Sequence, residues 1–204
     1  MVRGLVSEGD RVRRTIEEVA PGAVALTLGK EDLESLLRYD GTEAEPANWE
    51  EELYVAGLSA FGTVRKPPPC YVEAVRGAQE RGIPVRALDL NDEDYTEAYI
   101  EYVTAWDLLG HTRVQKKAEK HVFAATTPEE FVVEFDGFVN DPDGYVRLEH
   151  AREDHISRRL SKLARRYESL LAVVEYERAA GVRERANTLN RKERAPPGYS
   201  QKTN

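Results

Sequence analysis

Pro21-Gly22-Ala23-Val24-Ala25-Leu26-Thr27-Leu28 joins a helix breaker to six residues that are apolar almost throughout and do not alternate with polar ones. An alternating strand has one wet face, whereas a short unbroken apolar run bounded by breakers is a strand buried on both faces, between helices. Upstream, Val12, Ile16 and Val19 recur at helical spacing across residues 10–20, with Ser7 and Asp10 as candidate caps. The same order returns downstream. Tyr71, Val72, Val75 and Ala78 share one helical face, Gly82 stands as a C-terminal cap, and residues 83–90 read as the next strand. A long charged helix over 145–167, apolar at Ile156, Leu160 and Leu163, leads to a third strand at 170–174. Helices alternating with buried strands predict an α/β fold. Its sheet is short and mainly parallel, because long helical crossovers join parallel neighbours.

Further helices are expected at 30–38 and 49–63, separated by a polar loop at 41–48, and Pro67-Pro68-Pro69 forces an extended break. Residues 91–140 read as a helical insertion. Within it Tyr95, Tyr99, Tyr102 and Trp106 form an aromatic stripe read as core packing, and Thr127-Pro128-Glu129-Glu130 opens a helix with Thr at the cap. A turn cluster at 140–144 and a last helix at 177–186 complete a single domain over residues 1–189. The polar, Pro-containing stretch 190–204 is expected to be a disordered tail.

The chain has 204 residues, 41% hydrophobic and 32% charged, with mean hydropathy −0.59, the profile of one soluble domain. No run approaches a membrane span and the N-terminus has no signal-peptide core, so a cytoplasmic location is expected. One cysteine, Cys70, excludes an internal disulfide, and four scattered histidines make no zinc cluster. A net charge of −8 and a pI near 5.2 argue against general nucleic-acid binding. Eight lysines against 21 arginines give an acidic, Arg-rich surface, a balance that suits a GC-rich genome or a salt-adapted cell. Phosphate-loop glycine patterns and the Ser nucleophile elbow are absent.

Glu149, His150, Glu153, Asp154 and His155 put three carboxylates and two histidines within seven residues, and His150 and Asp154 at i, i+4 could share a metal. Four nearby arginines make a solvated charged face the simpler reading. The run Arg113, Lys116, Lys117, Lys120 and the run Arg158, Arg159, Lys162, Arg165, Arg166 could each bind phosphate, but both fit solvated helix faces. Cys70 reads as a small buried apolar side chain.

The order of elements, together with certain residues, resembles the TraB/Tiki family across most of residues 2–189. Val6-Ser7 fits the end of the family's first motif segment, 12–21 its helix, and 23–28 its strand. Glu50-Glu51-Glu52-Leu53 resembles the start of its following helix, and Ala74-x3-Ala78-x3-Gly82-x-Pro84-Val85 with Leu88-Asp89 its helix-to-strand unit. Arg152-Glu153-Asp154-x-Ile156 is similar to the Arg-Asp-Glu-x-Met of its long helix, and Leu171 to Val174 with Gly181-Val182 to its final strand and turn. Met1 falls where the family's first strand would already be ending, which implies a lost strand or a start further upstream. The chain lacks the C-terminal membrane-spanning segment of some longer archaeal members.

The resemblance implies a metal-dependent peptide-cleaving site built on two Gly-x-x-His motifs, and the motif residues are replaced here. The first His falls on Leu5, the first Gly on Val2, and a strand-end Glu on Thr27. The second motif reads Val173-Val174-Glu175-Tyr176-Glu177-Arg178-Ala179-Ala180-Gly181-Val182, with Arg178 at the His position. Removing two nitrogen donors and adding a cation removes the metal site. The expectation is a catalytically degenerate domain without a cofactor. It acts by binding a partner protein or itself as a homodimer, through Arg152, Glu153, Asp154, Glu175, Glu177 and Arg178, and replacing Arg178 would weaken binding and spare the fold. The alternative is a metal-dependent hydrolase with its divalent metal relocated to Glu149, His150, Glu153, Asp154 and His155. A third, narrower reading is a phosphate or small-ligand sensor using Arg152 and Arg178.

Overall fold

The computed structural model describes residues 1–118 and 120–194. Helix α1 (Val6–Val19) ends at Ala20, whose left-handed φ of 43° lets its amide reach back to the Ile16 carbonyl, and Pro21-Gly22 feeds the buried strand β1 (Ala23–Leu26). Then follow α2 (Lys30–Leu37), α3 (Trp49–Leu58), α4 (Pro69–Glu80), β2 (Val85–Ala87), α5 (Asp92–Tyr102), α6 (Ala105–Ala118), α7 (Pro128–Val139), α8 (Asp143–Arg166), β3 (Leu170–Val173) and α9 (Tyr176–Arg194). Gly82, at φ +63°, makes the tight turn out of α4 that its position predicts.

The three strands form a parallel sheet in the order β2-β1-β3, with Val24 opposite Val85 on one side and Leu171 on the other. The fold is therefore α/β, as the unbroken apolar run at 23–28 requires. One face of the sheet, through Val24, Leu26 and Val173, packs on Val12 and Ile16 of α1 and on Tyr71, Ala74, Val75 and Ala78 of α4. The other, through Ala25, meets Ile156 of α8 and Val182 of α9. Each fully buried Ile, Leu or Val contributes roughly 1.5–3 kcal/mol to this three-layer core. A second core joins Val2 and Leu5 to Tyr54 and Leu58 of α3 and to Phe131, Val132 and Phe135 of α7, beside the sheet. Met1 lies on the free edge of β3: its amino group donates to the Val174 carbonyl at 2.9 Å, and its own carbonyl accepts from Tyr176 N–H at 2.9 Å.

Several local expectations need correction. Helix α1 begins earlier than the periodicity suggests; its N-cap is Leu5, and neither Ser7 nor Asp10 caps it because both lie inside the helix. The first part of the expected tail, 190–194, is the continuation of α9; the rest of it, 195–204, lies outside the described residues. The aromatic stripe is not core: Trp106 is 80% exposed and Tyr95 40%, because α5 and α6 carry only one buried residue between them, Val114. Thr127 does cap α7, accepting from Glu130 N–H. No helix among the described residues is long and apolar enough to cross a membrane.

Candidate functional site

The chain leaves β1 through α2, α3 and α4 to reach β2, with α4 on one face of the sheet. It then crosses to β3 through α5 to α8, with α8 on the opposite face. Connections that depart on opposite faces leave a crevice outside the carboxyl ends of β1 and β3, the place where open parallel sheets bind ligands. Thr27, one residue beyond β1, and Glu175, two beyond β3, meet in that crevice, both buried. The Thr27 hydroxyl donates to Glu175 Oε2, and the Tyr71 hydroxyl of α4 donates to Oε1 at 2.6 Å.

Above this contact lies a cavity of about 520 Å³. Arg3, Arg152 and Arg178 line it with Glu149, Asp136, Glu175 and Glu177, and Tyr54, Tyr95, Tyr99 and Tyr145 complete its walls. An adjoining, more apolar chamber of about 620 Å³ lies between α2, α3 and the Pro67-Pro68 turn and shares Arg3, Tyr54 and Phe135 as walls. Both volumes fall in the range of small-molecule sites, roughly 300–1,000 Å³.

The charged side chains are mostly matched inside the cavity. Arg152 spans Asp89, at 2.5 Å, and Glu149, at 3.0 Å. Arg178 clamps Glu149 of α8 and, at 3.2 Å, Asp136 of α7. Glu50 Oε1 lies 2.9 Å from His111 Nε2, and His111 stacks on Tyr145 with centroids 4.7 Å apart. Arg3 differs: its guanidinium sits over the Tyr54 ring at 5.4 Å, and among the described residues it forms no ion pair. Protein surrounds Arg3, yet it remains solvent-exposed, because the space around its head is the cavity itself.

Two carboxyl groups two residues apart are driven in opposite directions. Burial alone would push Glu175 up, but the charges of Arg3 and Arg178 and the hydrogen bonds from Thr27 and Tyr71 more than reverse this, holding it below the usual carboxylate range. Glu177 lacks those donors. Burial first, and the Glu175 charge second, push it up to about 7, and its Oε2 is buried without a hydrogen-bond partner. Burial likewise raises Asp136 despite Arg178.

The structure sorts the residues singled out by sequence. Arg152, Glu175, Glu177 and Arg178 converge on the cavity. Glu153 and Asp154 do not: they pair with Arg185 of α9, at 2.9 and 2.8 Å, and a Cβ on Gly181 would collide with the Glu153 carboxylate. The set Glu149, His150, Glu153, Asp154 and His155 is split over the sides of α8, with Glu149 in the cavity and His150 exposed. Among the described residues no three His, Cys, Asp or Glu side chains gather as a metal-ligand set. Glu149 is not on a solvated face but bridges the buried Arg178 and the half-buried Arg152. Arg178 joins α9 to α7 and α8 through Asp136 and Glu149.

The basic side chains at 158, 159, 162, 165 and 166 do lie on an exposed face of α8. Lys116 and Lys117 occupy the last turn of α6, where a cation offsets the helix dipole. Cys70 is buried, and burial pushes its thiol up to about 12, leaving it a packing residue. Sequence reasoning missed Arg3, Asp136, Tyr71 and the tyrosine wall. Of these only the tyrosines carried a signal, their helical spacing, and it was assigned to the core. No protein-family model matches the chain, and no curated protein matches it.

Proposed function

We propose that this chain is a binding domain whose cleft, at the carboxyl ends of β1 and β3, holds a small polar molecule bearing an acidic group. One observation carries the reading: Arg3 presents a guanidinium to a cavity of small-molecule size and forms no ion pair there, while Arg152 and Arg178 are occupied by carboxylates. A planar fork of donors in a partly enclosed space is suited to a carboxylate or phosphate. The TraB-like reading, with its motif histidines replaced by Leu5 and Arg178, is compatible with this role, since Thr27, Arg152, Glu175 and Arg178 fall on motif positions and share one cleft. The cavity's size favours a small occupant over a protein partner.

Thermal melting at constant ionic strength tests the proposal, with inorganic phosphate, simple carboxylates and amino acids as probes. A ligand at a hundred times its Kd adds about 2.7 kcal/mol to native stability. The expected result is a concentration-dependent rise in Tm for the wild type that Arg3→Gln abolishes. Equal rises in both proteins, or none with any probe, overturn the assignment.

Self-association is a second reading, favoured by Ile100 and Trp106, 74% and 80% exposed on adjoining helices α5 and α6. Light scattering coupled to gel filtration would show a dimer that Trp106→Gln dissociates. A monomer at high concentration would remove this reading.

A further inference from the structure

Among the described residues, Asp136, Glu149, Arg152, Glu175 and Arg178 on the polar cavity all have charged or hydrogen-bonding partners, and two of their neighbours differ. Arg3 has no ion pair, and Glu177 buries an oxygen without a hydrogen-bond partner. Both line the same cavity and form no ion pair with each other, so that space is bounded by a donor fork and by a carboxyl. We infer that the occupant is a small amino-acid-class zwitterion, its acid group on Arg3 and its ammonium group on Glu177. This deepens the binding role proposed for the cleft and rests on it.

The charge balance of the walls separates a zwitterion from a plain anion. Five carboxyl side chains line the cavity against three guanidinium groups. A purely anionic ligand would match Arg3 and still face that excess of negative charge, whereas a ligand carrying its own cation relieves it. Glu177 is raised by burial and by Glu175, a penalty that an ammonium placed against it removes. A buried carboxyl oxygen without a partner is costly, and an ammonium supplies up to three donors.

Size and shape fit a compact molecule. The two charged ends of an α-amino acid are a few bonds apart, and the cavity of about 520 Å³ holds such a group with room for water. Tyr95, Tyr99 and Tyr145 wall the polar cavity, and the apolar chamber that shares Tyr54 and Phe135 provides space for a side chain.

The experiment compares the standard α-amino acids, each with its amine-free acid and its acid-free amine on the same carbon skeleton. Titration calorimetry is run at constant ionic strength on the full chain. The expected result is that at least one amino acid binds and that deleting either its amine or its acid group weakens binding tenfold or more. Glu177→Gln should then bring the amino acid and its amine-free acid to similar affinity, and Arg3→Gln should remove the preference for the acid group. An amine-free acid that binds the wild type as tightly as the amino acid refutes the zwitterion and leaves the anion-binding role intact. If no acid binds, with or without an amine, both fall. The ligand series on the wild-type chain decides the matter even if a variant fails to fold.

Discussion

Glu177→Gln should stabilise the protein at pH 8 and change it little at pH 5. In the folded chain Glu177 ionises near 7 instead of the ordinary 4.5, because it is buried and lies beside the Glu175 charge. Between those two values the folded state keeps a proton that the unfolded chain has released. Stability therefore falls as pH rises from about 4.5 to about 7, and the full cost is present above 7. At about 1.4 kcal/mol per unit, the shift corresponds to about 3 kcal/mol, an upper bound because water in the cavity eases the burial of the carboxylate. Glutamine keeps the shape and cannot ionise, so the difference between the two proteins isolates this one group from the other titrating side chains. Urea unfolding followed by circular dichroism at pH 5, 6, 7 and 8 measures it directly. A stability difference that stays constant across that range would refute the reasoning.

Two further outcomes test the packing that frames the cleft. Arg178→Met leaves Glu149 and Asp136 facing each other without their shared cation, and removing one partner of a buried ion pair costs about 3–5 kcal/mol; urea unfolding should show a loss of that order, and a loss below about 1 kcal/mol would mean Arg178 is not the clamp between α7, α8 and α9. Gly57→Ala would place a methyl 2.4 Å from the ring of Phe131, itself 1% exposed, so overpacking of about 1–3 kcal/mol should exceed the gain of up to ~1 kcal/mol in helix propensity. A melting temperature at or above the wild-type value would disprove the close approach of α3 and α7.

The layers were legible because they rest on local patterns. A six-residue apolar run with no alternation, bounded by Pro21-Gly22, is too short for a buried helix and fits a strand covered on both sides, and Ile16 at 0% exposure and Val12 at 3% sit where a 3.6-residue period puts them. The tyrosines on α5 carried an equally clear period and misled. A period reports that one face of a helix differs from the other, and here that face turns to a polar cavity and to solvent, with Tyr95 40% exposed and lining the chamber. Cap chemistry misled at Ser7 for a related reason. The Val6 amide is held by the Thr63 carbonyl in a long-range bridge, so the chain enters α1 without a side-chain cap.

For the site, sequence could mark charged residues but not say which were spent. Glu149, Arg152 and Arg178 read as a charge-rich helix face and a substituted motif position; folding turns them into one buried chain of ion pairs. Arg3, two residues before Leu5, had no motif of its own, because its meaning comes from what fails to meet it. The same holds for Glu175 and Glu177. They are identical in chemistry and separated by a single residue, yet Thr27 and Tyr71 donate hydrogen bonds to the first while an oxygen of the second stays unpartnered. Thr27 shows how residues at two strand ends work together. A hydroxyl at the end of the central strand is a poor metal ligand, but it is a good donor to a carboxylate at the end of the neighbouring strand, and with Tyr71 it adds to the charges of Arg3 and Arg178 that keep that carboxylate ionised. That negative charge adds to the burial that raises Glu177, and it faces the guanidinium of Arg3 across the same cavity.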